Sequence, residues 1–139
     1  MPRQLHRFPF LVWIILVSAL TSATRSVWEG VYTKEQAKRG QATYERECTR
    51  CHGHDLAGGE GSASLAGADF LNRWNGKTAG ALYETLKQTM PSDDPGNLST
   101  REYADVVAYI FSVNNFPAGE KELERDTAAL NEIRIEAKR

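Results

Sequence analysis

The stretch Cys48-Thr49-Arg50-Cys51-His52 decides how this chain is read. Two thiols stand three residues apart, and an imidazole follows the second. That spacing is the attachment signature of c-type haem. Each sulfur adds to one vinyl group of the porphyrin, and the next side chain is then held beside the iron, where its ring nitrogen becomes the proximal axial ligand. A disulfide or thioredoxin-like redox pair is the rival reading, but no βαβ pattern surrounds the motif and the pair leaves His52 without a purpose. A zinc site asks for four ligands, and only His54 remains nearby.

The N-terminal segment differs from the rest. Arg3, His6 and Arg7 precede a nearly unbroken apolar run from Phe8 to Leu20, and Thr21-Ser22-Ala23 supplies small residues. This three-part layout predicts a secretory signal peptide over residues 1–23, cut after Ala23. The apolar run falls short of the roughly 20 residues that cross a bilayer, which weighs against an uncleaved anchor. Arg3 and Arg7 are not adjacent, as the twin-arginine route would require. Export unfolded, followed by haem attachment outside the cytoplasm, predicts a periplasmic protein with no membrane span in its mature form. The remaining 116 residues carry 15 basic and 18 acidic side chains, a formal charge of −3. That balance gives no footprint for nucleic acid. Both cysteines of the chain sit in the motif, so none is left for a structural disulfide or a lipid anchor.

Downstream, the sequence predicts an all-α fold, since no period-2 alternation stands out. After an irregular lead-in over residues 26–31, Thr33-Lys34-Glu35-Gln36 reads as a capping box that opens a helix over residues 34–48. Gly40, Tyr44 and Cys48 lie four apart on one face of it. The glycine costs about 1 kcal/mol relative to alanine there, which makes sense if another helix crosses closely. Residues 53–67 read as an irregular glycine- and serine-rich loop. A short helix follows over residues 69–74, and Thr78 caps another over residues 79–89, with Leu82 and Leu86 on its buried stripe. Pro95-Gly96 suits the centre of a type II turn. Ser99-Thr100-Arg101-Glu102 is a second capping box. It opens a helix in which Tyr103, Val106, Val107, Ile110 and Phe111 recur at amphipathic spacing. Phe116-Pro117-Ala118-Gly119 ends that helix. Residues 120–139 form a charged, partly helical extension lying against the domain of residues 24–119, with Leu123, Leu130, Ile133 and Ala137 as a thin apolar stripe.

A six-coordinate haem needs a distal donor. Met90 is the sole methionine once Met1 is lost. It sits 38 residues after His52, beside Pro91, which stiffens the backbone. A His/Met pair is an established ligation of haem iron, so Met90 is read as the distal axial ligand. His54, two residues from His52, is too close to pass around the porphyrin. With both axial positions filled, the expected function is one-electron transfer, not catalysis. A haem enzyme or gas sensor would need an open or displaceable sixth position.

Over nearly its whole mature region the chain resembles monohaem class I c-type cytochromes. The residues that carry the resemblance are the Cys48–His52 motif, Gly40 with Tyr44, the Met90-Pro91 loop, and Val106 with Tyr109 in the last helix. The resemblance implies a cytochrome c fold, three to five helices wrapped around one covalently attached haem. It implies also that Gly40 and Tyr44 cross the last helix at Val106 and Tyr109. Gly53-His54-Asp55-Leu56-Ala57-Gly58-Gly59, Leu65-Ala66-Gly67-Ala68-Asp69-Phe70 and Met90-Pro91-Ser92-Asp93-Asp94-Pro95-Gly96 are similar to small bacterial cytochromes associated with quinoprotein alcohol dehydrogenases. In such relatives a proline often precedes the leucine after the motif. Here Ser62-Ala63-Ser64 stands before Leu65, so the carbonyl that accepts from the proximal imidazole is Ala63 or Ser64. Trp74 and Asn75 are expected to donate to a haem propionate. Implied partners are a dehydrogenase donor and an oxidase or other cytochrome as acceptor. The alternative is an electron-accepting subunit of a quinoprotein (PQQ-type) dehydrogenase complex.

Overall fold

The computed structural model describes residues 24–138, so the expected signal peptide over residues 1–23 lies outside the described residues. In chain order the elements are β1 (Arg25–Ser26), a 3-10 turn (Val27–Glu29), α1 (Lys34–Glu47), α2 (Thr49–His52), α3 (Gly67–Trp74), α4 (Ala79–Thr89), α5 (Thr100–Val113), α6 (Thr127–Asn131) and β2 (Ile133–Arg134). The all-α expectation holds: beside the four longer helices, α6 is the helical part of the segment over residues 120–139, and α2, of about one turn, is the addition. The two strands form one short parallel pair joining the ends of the described chain. Strands of two residues carry no readable alternation, so the sequence could not announce them. Among the described residues no helix is long and apolar enough to cross a membrane.

Helix starts follow their caps. Ser99 Oγ accepts from the Glu102 amide while the Glu102 carboxylate accepts from the Ser99 amide, closing the predicted box. Thr78 Oγ1 accepts from the Ala81 amide. Thr33 likewise accepts from Gln36 N, but the reciprocal half of its box is not made. The Gln36 side chain is fully buried and pairs with the backbone of Leu123 instead: Nε2 donates to the Leu123 carbonyl at 3.1 Å, and Oε1 accepts from its amide at 2.6 Å. A third box, Ser26 with Glu29, caps the 3-10 turn and buries Val27. The expected irregular lead-in is therefore an ordered part of the core.

The closest helix approach is that of α1 and α5. A Cβ placed on Gly40 would fall inside the Asp105 carbonyl and 3.0 Å from Tyr109 Cβ. Tyr44, one turn on, packs its ring against Tyr109 with centroids 5.3 Å apart. The receiving surface is thus Asp105 and Tyr109. Val106, expected there with Tyr109, is turned by its position on the helix to the wall of a cleft described below. Arg39 strengthens the crossing through two hydrogen bonds to the nearly buried Asp105 carboxylate, at 2.9 and 3.0 Å. Since no room exists for a methyl group, Gly40→Ala is expected to destabilise the protein by about 1–3 kcal/mol despite the better helix propensity of alanine. Thermal melting checks this, and an unchanged or raised midpoint would contradict it.

The C-terminal segment is woven into the same core. Leu123, Leu130, Ile133 and Ile135 are all buried. Ala137, placed on the stripe from sequence, is exposed, and Ile135 takes its place. The reason is a change of period: α6 ends at Asn131, the chain becomes extended, and residues two apart then share a face. Ile135 is locked by backbone bonds, its amide to the Lys77 carbonyl and its carbonyl to the Gly76 amide, both 2.8 Å.

Candidate functional site

The motif hangs from the end of α1. Cys48 leaves that helix with φ −119° and ψ −30°, its amide still bonded to the Tyr44 carbonyl, and α2 starts at the next residue. Tyr44 is fully buried and its hydroxyl donates to the Gly53 carbonyl at 2.7 Å, pinning the far end of the motif. Cys48 is half-buried, and desolvation pushes its thiol up to about 11, so it stays protonated at neutral pH. Cys51 is exposed. Both thiols are free.

His52 is buried, with Nδ1 2.8 Å from the Ala63 carbonyl. A carbonyl only accepts, so Nδ1 carries the proton and Nε2 is left with its lone pair free to bind a metal. Of the two acceptors open from sequence, the structure therefore selects Ala63. Ser64 turns its hydroxyl to the carbonyls of Leu56 and Ala66.

Met90 caps the C-terminus of α4, its amide donating to the Leu86 carbonyl at 2.9 Å. The next residues turn back on themselves. Asp94 N donates to Pro91 O, and Asn97 N reaches Asp94 O across a turn with Gly96 at φ +82°, the left-handed value that the third position of a type II turn demands. Tyr103 Oη donates to the Met90 carbonyl at 2.7 Å.

Cys48, Cys51, His52 and Met90 all line one cleft of about 290 Å³. Leu65, Leu82, Leu86 and Val106 give it apolar walls. Trp74 lines it too, buried, and its indole Nε1 has no hydrogen-bond partner among the described residues. A buried donor left unpaired costs about 1–3 kcal/mol, so this N–H calls for an acceptor inside the cleft. Asn75, the other donor expected for a propionate, is exposed and uses its side-chain oxygen to accept from Ala137 N. His54 is exposed and outside the cleft. Arg50 and Asp93 also line the cleft and pair across it at 2.7 Å, with side chains 78% and 61% exposed. The guanidinium holds the Asp93 carboxyl below its usual range. No sequence signal announces that pair, since neither residue belongs to a helical stripe or a turn position that demands it.

Among the described residues no three His, Cys, Asp or Glu side chains converge, as a protein-only zinc site would require. The donor set fits a haem instead. It offers one imidazole with a free nitrogen, one thioether, two thiols, apolar walls and an unpaired N–H suited to a carboxylate.

Comparison with known proteins agrees. Residues 35–110 match the family model described as cytochrome C oxidase, cbb3-type, subunit III. The chain belongs to this cytochrome c family. No curated protein matches the chain. Among solved structures, sulfane dehydrogenase SoxCD from Paracoccus pantotrophus is similar in fold, with a TM-score of 0.50 and 19% identity. The match covers 94% of this chain and 66% of that one, so the chain spans just under two thirds of the length of the solved relative. The helical architecture is that of a cytochrome c domain, and membership of the family implies a haem c and electron transfer. The matched segment runs from the first turn of α1 through the cleft to Ile110 in α5, and so contains every residue singled out above for the cleft.

Proposed function

We propose that this chain is an exported one-electron carrier that holds a single haem c in the cleft, bonded through Cys48 and Cys51 with His52 and Met90 as axial ligands. The observation that carries the reading is the convergence of those four side chains on one apolar cleft, with the His52 ring already oriented by Ala63. Bound there, the iron supplies reversible one-electron exchange between its ferric and ferrous states. The chain's own residues set the terms of that exchange. His52 presents Nε2 because Ala63 fixes the tautomer, and that hydrogen bond also fixes the orientation of the ring. Met90 contributes a neutral, soft thioether, which favours the ferrous state relative to a second imidazole. Trp74 would donate its buried N–H to a carboxylate of the group, such as a propionate. Leu65, Leu82, Leu86 and Val106 exclude water. Cys48 and Cys51 would hold the group through thioether bonds, which would keep it on a small protein through repeated docking.

The sequence of residues 1–23, read as a signal peptide, supports the periplasm as the site of this chemistry, with a dehydrogenase of the quinone-cofactor class as the proposed donor and an oxidase or another cytochrome as the acceptor. The family description names an oxidase subunit and the solved relative is a dehydrogenase, which supports redox proteins as partners. The test is intact-mass analysis of protein matured with haem-attachment machinery. Wild type is expected to equal the chain from Thr24 plus one haem, and the Cys48→Ala/Cys51→Ala double variant to have the mass of bare polypeptide. A wild-type mass without a tetrapyrrole overturns the proposal.

A further inference from the structure

The Met90 amide is held by the Leu86 carbonyl where α4 ends, and the loop that follows has few hydrogen-bonded ties to the rest of the molecule among the described residues. Inside the loop, Gly96 N reaches the Met90 carbonyl at 3.5 Å and Asp94 N the Pro91 carbonyl at 3.0 Å. These bonds shape the turn without fixing it to the body. One outside tie is the Arg50–Asp93 pair, which is exposed at both ends. Exposed pairs of that kind contribute little and weaken with salt. The other is Tyr103, whose hydroxyl donates at 2.7 Å to the same Met90 carbonyl that Gly96 reaches. Tyr103 is 1% exposed. Its ring meets that of Tyr83 edge-on, centroids 6.4 Å apart, and Tyr83 is itself held by a hydroxyl bond to the Arg125 carbonyl at 3.1 Å. The helix that carries Tyr103 is clamped to α1 by the Gly40 crossing. A rigid frame therefore ends in one buried hydroxyl on the backbone of the residue whose side chain lines the cleft.

We propose that Tyr103 is a positioning residue that holds Met90 in the sixth coordination position, so that competing ligands are kept out in both oxidation states. The proposal rests on the reading of Met90 as the distal ligand. Its physical basis is pre-organisation. A ligand whose backbone is fixed loses little freedom on binding, and a competitor must then displace it against its full strength.

The test is a visible-spectroscopy titration of the ferric, haem-loaded protein with imidazole, which competes for the sixth position. Tyr103→Phe keeps the buried ring and removes only the hydroxyl. It is expected to bind imidazole about fivefold more tightly than wild type, a difference of roughly 1 kcal/mol at 1.4 kcal/mol per tenfold. Hydrogen exchange at the Gly96 amide is expected to quicken in the same variant. Tyr32→Phe is the control, since it removes another buried hydroxyl, which donates to the Phe116 carbonyl at 2.6 Å and lies outside this frame, and it is expected to leave imidazole affinity at the wild-type value. Imidazole affinity in Tyr103→Phe equal to wild type overturns the proposal. So does an equal rise in both variants, which marks general loosening. Met90→Ala separates the two readings. If it binds imidazole no more tightly than wild type, Met90 is not the distal ligand and the underlying reading fails. If it binds tightly while Tyr103→Phe does not change, ligation stands and positioning by Tyr103 falls.

Discussion

A chain ending at Gly119 is expected to lose its cooperative fold, although the segment removed reads from sequence as a charged extension. The loss takes away Leu123, Leu130, Ile133 and Ile135, all buried against the rest. At about 1.5–3 kcal/mol for each such side chain, the transfer contribution is on the order of 6–12 kcal/mol, an upper figure because an unfolded chain already hides some apolar surface. Whole domains of this size are stable by only about 5–15 kcal/mol. The damage to the remaining body adds to this. Gln36 is fully buried, and both ends of its amide lose the Leu123 backbone. Unsatisfied buried groups of that type cost about 1–3 kcal/mol each. Val27 loses the cover of the strand pair between β1 and β2. Far-UV dichroism on heating, run beside the full chain, checks this. A truncated protein that melts cooperatively within about 5 °C of full length would show that residues 120–138 are an accessory. Leu130→Ala is a milder probe of the same contact, expected to cost about 2–5 kcal/mol.

The failure of sequence to announce that role has a physical cause. Signals that act within one helical turn were legible. Ser99 with Glu102, Thr78 with Ala81, and the Pro95-Gly96 turn all form as read. So was Gly40, because a mid-helix glycine is costly enough to imply a close neighbour. The motif and Met90 were legible as chemistry, and the structure brings them to one cleft. What escaped was decided by partners far along the chain. Thr33 and Gln36 spell a capping box, yet a buried backbone 87 residues away outbids the local bond for the Gln36 side chain. Ala137 sits on the predicted stripe only if the helix continues. It does not, and Ile135 is buried instead. Tyr103 counted correctly as core from its spacing, but no spacing reveals which carbonyl its hydroxyl reaches. The choice between Ala63 and Ser64 beside His52 was open for the same reason, since loop geometry decides it.

Replacing Met90 by alanine is expected to have the largest effect on redox behaviour. The direction follows from the donor. A thioether is neutral and soft, and it favours the lower charge of the ferrous state; removing it leaves the site to harder donors that favour the ferric state, so the reduction potential falls. Axial ligation spans about 0.8 V across haem proteins, and a drop on the order of 0.1 V or more is expected here. The protein fold should survive. Met90 is only half-buried, its amide still reaches Leu86, and its carbonyl still accepts from Tyr103 whatever the side chain. With fold and proximal side intact, the opened sixth position should let the reduced protein bind carbon monoxide tightly, whereas the wild type resists it. Redox titration and a carbon monoxide difference spectrum check the two halves independently. An unchanged potential together with an unchanged response to carbon monoxide would show that Met90 only fills the cleft. A wild type that already binds carbon monoxide tightly would favour a gas-binding role over electron transfer, because an electron carrier works best when neither oxidation state has a site to offer.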